Sequence, residues 1–346
     1  MSRLLSALPA LALLLLLRPT GASAQVTTTG VGPIVITVSD LDRAVRFYTD
    51  VLSFRKSGAA EAHSDSFDRL TNIFGTSVEM ATLRLGSESI QLVHYRTPRG
   101  RPVPADSRSN DEWFQHIAIV ASDMEAATAR LQKYHAHQIS TSPQTLPDWN
   151  KEAAGIQAFY FRDPDDHPLE LIHFPDAKGD RRWHQRASRD EPFLGIDHTA
   201  IAVADTERSL SFYRDVLGFK VVGKSLNYGV EQEHLNHVFG SRVRITSLRA
   251  PAGPGVEFLE YVTPRDARPM PSDSKPNDLW SLQTTVFAKD LRAALTDMSR
   301  RAIRLLSARP EAIAPLGEEG AKGLMVLDPD GHMLLLRSGP TNHERH

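Results

Sequence analysis

The chain contains no cysteine among its 346 residues. This absence excludes disulfide bonds, thiolate metal ligands and a cysteine nucleophile. An excess of positive charge is also missing, because 40 basic side chains stand against 42 acidic ones and leave a formal net charge of -2. The chain has no excess of positive charge that could neutralise a phosphate backbone, so we expect no nucleic acid among the partners.

Long apolar runs are absent after the first 24 residues. At the start, Arg3 precedes an apolar stretch from Leu4 to Leu17, and the small-residue run Ala22-Ser23-Ala24 follows it. The stretch is shorter than the roughly 20 residues that span a bilayer, which disfavours an uncleaved anchor helix. The pattern predicts a cleaved Sec-type signal peptide over residues 1–24. We therefore expect a periplasmic or secreted protein that has no membrane contact after cleavage.

What is present is an internal repeat. The segment Val35–Phe54 aligns with Ala200–Phe219. The apolar fraction of the chain is 41%, which is ordinary for a globular protein. Further aligned pairs are Leu70–Gly75 with Leu235–Gly240, Tyr95–Pro98 with Tyr261–Pro264, Asn110–Trp113 with Asn277–Trp280, and Asp163–Asp165 with Asp328–Asp330. The period is about 165 residues, which predicts two tandem domains joined by a polar, charged segment.

Each copy contains two smaller units that open in the same way. An Ile- and Val-rich run of strand length ends in an aspartate, and a helical pattern follows. The four runs are Ile34–Asp40, Ile117–Asp123, Thr199–Asp205 and Thr284–Asp290. Aspartate at that place suits a helix N-cap. Short strands come next, so the sequence predicts four βαβββ units.

The apolar strand ending in aspartate, the helix ending in Phe-Tyr-x-Asp-Val-Leu-x-Phe and the later Asp-Pro-Asp turn resemble the vicinal oxygen chelate superfamily. That family includes glyoxalase I, methylmalonyl-CoA epimerase, extradiol dioxygenases and the bleomycin resistance proteins. The resemblance implies an α+β fold in which four βαβββ modules form two tandem glyoxalase-like domains. The expected limits are 25–175 for the first domain, 176–194 for a linker, 195–340 for the second domain and 341–346 for a C-terminal tail.

In that family a metal ion lies in a cup between two units, and each unit supplies one ligand from its first strand and one from its last. The corresponding residues are Pro33 and Gln91, His116 and Glu170, His198 and Glu257, and Gln283 and Leu335. If sequence neighbours shared a cup, both cups would be incomplete. Fused tandem members instead pair outer with outer units and inner with inner units. This pairing gives one complete set, namely His116, Glu170, His198 and Glu257, and leaves Pro33, Gln91, Gln283 and Leu335 in the other cup.

The resemblance thus implies one divalent metal ion, and imidazole with carboxylate ligands suits Zn, Ni, Co, Fe or Mn. Taken singly, such residues are more often a satisfied core histidine or a solvated glutamate, and it is the complete set that favours a metal. Three other histidines are expected in ordinary surface positions. They are His135, His137 and His332.

By resemblance, the expected activity is proton transfer beside a metal-chelated carbonyl, with a lyase, isomerase or epimerase outcome. Glu170 or Glu257 would be the catalytic base, and Glu170 is preferred. A small hydroxy-carbonyl substrate is expected, because an exported enzyme would seldom meet the glutathione adduct of glyoxalase I. The alternatives are an extradiol-type dioxygenase, against which the extra glutamate argues, and a non-catalytic small-molecule-binding protein. The chain is expected to be a monomer or a homodimer.

Overall fold

The computed structural model describes residues 26–185, 188–314, 316–318 and 320–339. The predicted signal peptide over residues 1–24 and the predicted tail over residues 341–346 lie outside these ranges. Within them, no helix has both the length and the apolar composition needed to cross a bilayer.

The described residues form 17 strands and six α-helices that fall into four units. The first unit holds β1 (Thr28–Thr37), α1 (Leu41–Arg46) with a π-helical turn (Phe47–Val51), β2 (Arg55–Ala62), α2 (Asp65–Thr71), β3 (Ser77–Leu85) and β4 (Glu88–Thr97). The second holds β5 (Gln115–Ala121), α3 (Met124–Lys133), β6 (His137–Gln138), β7 (Gln144–Thr145), β8 (Gln157–Arg162) and β9 (Pro168–His173). The third holds β10 (Phe193–Ala202), α4 (Thr206–Tyr213), β11 (Lys220–Tyr228), α5 (Val230–Asn236), β12 (Arg242–Arg249) and β13 (Gly255–Thr263). The fourth holds β14 (Leu282–Ala288), α6 (Leu291–Arg300), β15 (Glu311–Ala312), β16 (Lys322–Leu327) and β17 (Met333–Arg337).

The predicted N-caps are confirmed in all four units. Each aspartate side chain accepts a hydrogen bond from a backbone N–H in the first turn of its helix, which contributes about 1 kcal/mol to helix stability. The four caps are Asp40, Asp123, Asp205 and Asp290.

The expected βαβββ order holds in full in the first and third units. In the second and fourth units the strand after the helix shrinks to two-residue pieces, β6, β7 and β15. Prolines explain this difference, because Pro143, Pro147 and Pro310 lie in these segments and cannot donate a ladder hydrogen bond.

The strands form two curled sheets. Each sheet combines one unit of the first copy with one unit of the second copy. The nine-stranded sheet has the order β11-β12-β13-β10-β5-β9-β8-β6, with β7 paired to β8, and so combines the second and third units. The eight-stranded sheet has the order β15-β16-β17-β14-β1-β4-β3-β2 and combines the first and fourth units. The predicted pairing of inner with inner and outer with outer units is therefore confirmed.

The helix that follows the first strand of each unit, namely α1, α3, α4 or α6, lies between the sheets, and these helices create two apolar cores. One core collects side chains of the first and second units, such as Ile34, Tyr48 and Ile117. The other collects side chains of the third and fourth units, such as Ile201 and Val286. These residues alternate along their strands with the residues of the opposite, concave face. A short helix packs on that face in each sheet: α2 places Phe67 and Leu70 on the eight-stranded sheet, and α5 places Leu235 on the nine-stranded sheet.

Two reciprocal contacts, which we name the arginine clasps, connect the copies. Arg101 of the first copy donates to the buried carboxylate of Asp278 at 2.7 Å, and its guanidinium lies 4.7 Å from the ring centre of Trp280. Arg268 of the second copy makes the same contacts with Asp111, at 2.6 Å, and with Trp113, at 4.7 Å. In each arginine clasp, the repeated Asn-Asp-x-Trp motif thus supplies the aspartate that accepts the hydrogen bond and the tryptophan that packs against the guanidinium.

His332 departs from the surface position expected for it. The ring is buried, and its Nδ1 lies 2.9 Å from Asp328 Oδ2, because the turn at Gly331 folds the ring back onto that carboxylate. His167 makes the equivalent contact with Asp163 at 2.8 Å in the first copy. His135 and His137 follow α3 and are exposed, as expected.

The predicted linker over residues 176–194 is partly structured. A 3₁₀ turn covers Arg181–His184 and buries Trp183, and β10 already begins at Phe193. Residues 186 and 187 lie outside the described ranges. The domain limits given above stay a prediction.

Candidate metal centre

The four residues predicted as ligands meet on the concave face of the nine-stranded sheet, which we name the inner cup. They are His116 in β5, Glu170 in β9, His198 in β10 and Glu257 in β13. The central strands β5 and β10 run antiparallel, with Ala200 opposite His116 and His198 opposite Ala118. Both neighbours are alanines, so open space remains beside the imidazoles.

Three of the four side chains converge tightly. Glu170 Oε2 lies 3.0 Å from His116 Nε2 and 3.4 Å from His198 Nε2. One ligand atom from each of these three residues lies within 4.8 Å of the others. Glu257 is placed beside them, because its Oε2 lies 3.4 Å from His198 Nε2, but it stands outside this closest set.

The donor set fits a divalent transition-metal ion. Both ring nitrogens of His116 are buried and have no hydrogen-bond partner among the described residues, although Nε2 lies close to Glu170. A buried nitrogen without a partner is costly, and a coordinated ion would use its lone pair. Imidazole nitrogens with carboxylate oxygens are the ligands that such ions take.

His198 is oriented by a carboxylate on its far side. Its Nδ1 lies 3.0 Å from Asp197 Oδ2, so Nδ1–H donates to Asp197 and Nε2 faces Glu170 and Glu257. A carboxylate behind a histidine is the usual way in which proteins fix the tautomer of a metal ligand.

The charges of the cluster support one another. Burial alone raises the pKa of Glu170, but the imidazoles of His116 and His198 outweigh it and lower that pKa to about 2. Burial alone lowers the pKa of His198, but Glu257, Asp197 and Glu170 raise it well above its usual value. In the metal-free cluster Glu170 is therefore ionised and His198 is protonated, so metal binding has to release a proton from His198.

A cavity of about 510 Å³ opens above the cluster. Apolar side chains form much of its wall, among them Leu146, Ile156, Ile172, Leu235, Val243 and Leu259. Tyr160 lies in β8 opposite Glu170, and its ring centre is 5.0 Å from that of His116. Burial raises the pKa of the Tyr160 phenol, so its hydroxyl stays protonated and can donate to a ligand in the cavity.

The concave face of the eight-stranded sheet, which we name the outer cup, is filled by the chain itself. Leu335 is fully buried and packs in a cluster with Ile313 and Leu316 from the segment before β16. Gln91 Nε2 donates to the Leu316 carbonyl at 3.2 Å. Gln283 and Pro33 are buried at the remaining ligand positions. The outer cup thus holds apolar packing where the inner cup holds imidazoles and carboxylates.

Three residues at the inner cup were not predicted from the sequence. Asp197 directly precedes His198, and strand alternation predicts the opposite face for it. Trp183 falls in the predicted linker. Tyr160 has a usable signal, because the residue opposite Glu170 in a hairpin shares its face.

Comparisons with known proteins point the same way. The family profile described as Glyoxalase/Bleomycin resistance protein/Dioxygenase superfamily matches residues 30–171 and again residues 195–336. A protein named 2-epi-5-epi-valiolone epimerase, from Actinomyces sp, is 31% identical over 147 residues, which are 41% of this chain and 78% of that protein.

Two solved structures share the fold over most of the chain. A mutant form of glyoxalase I from Zea mays superposes with a TM-score of 0.60 at 16% identity, covering 91% of this chain and 93% of that chain. A putative dioxygenase from Bacillus subtilis superposes with a TM-score of 0.55 at 14% identity, covering 92% of this chain and 88% of that chain.

Proposed function

Because the chain belongs to the glyoxalase/bleomycin resistance protein/dioxygenase superfamily, in two tandem copies, we propose that it is an isomerase or epimerase. The reaction would move a proton beside the carbonyl of a small hydroxy-carbonyl compound. The convergence of two imidazoles and two carboxylates in one cavity carries the proposal. The relative from Actinomyces supports an epimerase outcome, since epimerisation is what its name states.

His116, Glu170, His198 and Glu257 would hold one divalent ion in the inner cup. A bound divalent ion polarises a carbonyl oxygen and so acidifies the neighbouring C–H bond. The protein supplies the fixed positions of the ligands, because all four side chains stand on strands of one sheet. The apolar wall of the cavity keeps much of the surrounding water away from a bound substrate.

The contacts favour Glu257 over Glu170 as the group that moves the proton. Glu170 Oε2 is shared between two imidazoles, and its side chain is 7% exposed. Among the described residues, Glu257 Oε2 pairs with His198 alone, its Oε1 accepts from Ser247, and its side chain is 20% exposed. A substrate in the cavity therefore reaches Glu257 more easily than Glu170, and Glu257 would be the ligand that leaves the ion when the substrate binds. This proposal reverses the preference that the sequence suggested.

An extradiol-type dioxygenase is the second candidate, and one observation favours it. The three tightly converging residues are two histidines and one carboxylate, which is the ligand set of non-haem iron oxygenases. Glu257 argues against it, because a fourth protein ligand leaves fewer positions for oxygen and substrate.

Proton exchange tests the proposal directly. Residues 25–346 would be loaded in turn with Zn, Ni, Co, Mn or Fe(II) and incubated in D₂O with dihydroxyacetone or a cyclic 2-hydroxyketone. NMR would follow the loss of the C–H signal next to the carbonyl. We expect exchange by the native chain and a loss of about 100-fold or more in Glu257→Gln, since a general base contributes that much.

The matched control is Glu260→Gln. Glu260 is three residues further along β13 and is bonded to Thr206 and Arg244, away from the cluster, so exchange should be unchanged. Equal exchange by the native chain and Glu257→Gln would contradict the role of Glu257. Oxygen uptake with a catechol in the Fe(II) form, without C–H exchange, would replace the proposal by the dioxygenase.

A further inference from the structure

Asp197 reaches His198 because β10 contains a bulge. In a regular strand, neighbouring side chains point to opposite faces of the sheet. The register against β5 shifts at this place, since Ile196 lies opposite Ile119 and His198 lies opposite Ala118, with Asp197 between them. Such a bulge re-aims a side chain, and here it brings the Asp197 carboxylate to 3.0 Å from Nδ1 of the adjacent imidazole.

The Asp197 carboxylate is itself held from two other sides. The indole Nε1 of Trp183 donates to Oδ1 at 2.9 Å. Arg249 Nη2 donates to both carboxylate oxygens at 3.0 Å, and Arg249 Nη1 donates to the Asp197 carbonyl at 2.9 Å. Because both oxygens are engaged, the carboxylate has one orientation, and this orientation is passed on to His198.

Trp183 comes from the segment that joins the two copies, and that segment is anchored on the outer sheet. The guanidinium of Arg182 lies 3.9 Å from the Trp183 ring centre and donates to Glu88 Oε1 at 2.5 Å. The ring also lies against Gly195 in β10, where an added Cβ would be 2.9 Å from a ring carbon. A side chain at position 195 would therefore push the indole away from Asp197.

The first-strand ligand positions of the first and second units lack this arrangement. Gly32 precedes Pro33, so that position carries no side chain. Gln115 precedes His116, but it donates to Thr199 and Thr284, and His116 Nδ1 is left without a partner. The support behind the imidazole is specific to His198.

We propose that Asp197 is a positioning residue that keeps Nδ1 of His198 protonated and Nε2 directed at the metal. Trp183, which comes from the segment joining the two copies, holds the Asp197 carboxylate in place and so supports the metal centre. The proposal rests on the proposed function, since it needs His198 to be a ligand. Asp197 would act through His198, because its carboxylate lies at Nδ1 of the imidazole while Nε2 faces the cluster.

The test measures Zn²⁺ affinity by competition with a chromophoric chelator. Asp197→Asn keeps the size of the side chain but removes its charge, and Trp183→Phe removes only the indole N–H. We expect the dissociation constant to rise about 10- to 100-fold in Asp197→Asn, as for other residues behind metal ligands, and by a smaller factor in Trp183→Phe. The matched control is Trp113→Phe, which loses an equivalent indole bond to Ser107 without contacting the inner cup.

A second readout follows the imidazole itself. In the Zn²⁺-loaded chain with ¹⁵N-labelled histidine, the His198 resonances should show a protonated Nδ1 in the native chain and a mixture of forms in Asp197→Asn. Circular dichroism checks that each variant is folded. If Asp197→Asn does not fold, Trp183→Phe still tests the proposal.

Two results would overturn the inference, and they can be told apart. If His198→Ala loses Zn²⁺ while Asp197→Asn and Trp183→Phe bind it with the native affinity, His198 is a ligand that needs no support, and only this inference fails. If the native chain takes up no metal, the proposed function fails and the inference fails with it.

Discussion

The inner and outer cups share one architecture and differ in what occupies their equivalent positions. Each is the concave face of a curled sheet in which two units meet through antiparallel central strands. The inner cup has a cavity of about 510 Å³ above two histidines and two glutamates. In the outer cup, Ile313 and Leu316 pack onto Leu335. This fold can therefore use the same surface for a chemical site or for a third apolar core.

Removing an inner-cup imidazole should have the largest effect. We expect the native chain to bind about one metal ion, and His116→Ala and His198→Ala each to bind none, because both imidazoles would belong to one site. Elemental analysis of chains purified without a chelator or a His tag measures the ratio. Gln283→Ala, at the equivalent outer position, is the control and should keep the ratio. If the two histidine variants each lost a different ion, the shared site would be disproved.

Removing a side chain from the outer cup should instead cost stability. Leu335 is fully buried, so Leu335→Ala should lower the free energy of unfolding by about 3 kcal/mol and leave the metal ratio unchanged. Urea titration gives this free energy. Leu226→Ala is the control, because Leu226 is exposed and should change it little. A loss of metal in Leu335→Ala would mean that the outer cup also serves the metal site.

The buried turn histidines should give a smaller, pH-dependent effect. Burial lowers the pKa of His167, but Asp163 outweighs it and raises that pKa from 6.5 to about 8. Since the folded pKa is the higher one, this pair stabilises the chain fully below pH 6.5 and loses its effect as the pH rises through about 8. The difference between the two pKa values corresponds to about 2 kcal/mol of stability.

Urea unfolding of the metal-free chain at about pH 6 and about pH 9 measures this effect. In His167→Gln the decrease in stability between the two values should be smaller than in the native chain by about 2 kcal/mol. His332→Gln probes the outer equivalent. We expect it to change the decrease less, because His167 Nε2 also donates to the Leu279 carbonyl at 2.5 Å, a contact of hydrogen-bond geometry that His332 Nε2 lacks in the described ranges. An unchanged decrease in His167→Gln would exclude a charged His167.

Partial grafting of the inner ligands onto the outer cup should have the smallest effect. The double variant Gln91→Glu with Gln283→His restores two ligand types, but Pro33 and Leu335 remain and Leu316 still covers the face. We expect a metal ratio of about one, as in the native chain, measured by the same elemental analysis. A ratio of about two would show that ligand identity alone decides between the cups.

Much of the fold could be predicted from the sequence because its signals are local and repeated. The four aspartates before the helices and the alternation around His116 and His198 are short-range patterns that tertiary contacts did not override. The four ligand-type residues then followed from their family positions. The reduced strands in the second and fourth units could have been recognised from the prolines Pro143, Pro147 and Pro310.

Other features depend on contacts between residues distant in sequence. Asp197 could not be placed, because strand alternation puts it on the face opposite His198 and only the bulge reverses this. The burial of Trp183 in a polar segment depends on Gly195 and Arg182. The packing of Ile313 and Leu316 into the outer cup could not be predicted from the sequence either, because the sequence of a loop does not indicate which surface its apolar residues cover.

The arginine clasps, finally, bear on how this chain evolves. Each copy contributes one arginine that donates to the other copy and one aspartate that accepts from it, which is the reciprocal pattern of two identical subunits in a symmetric dimer. In a homodimer encoded by one gene, every substitution appears twice, and a site cannot be lost in one subunit alone. Once the two subunits are fused, each half mutates independently. A fused chain can therefore keep one of its two equivalent cups for chemistry and use the other for packing, which two identical subunits could not do.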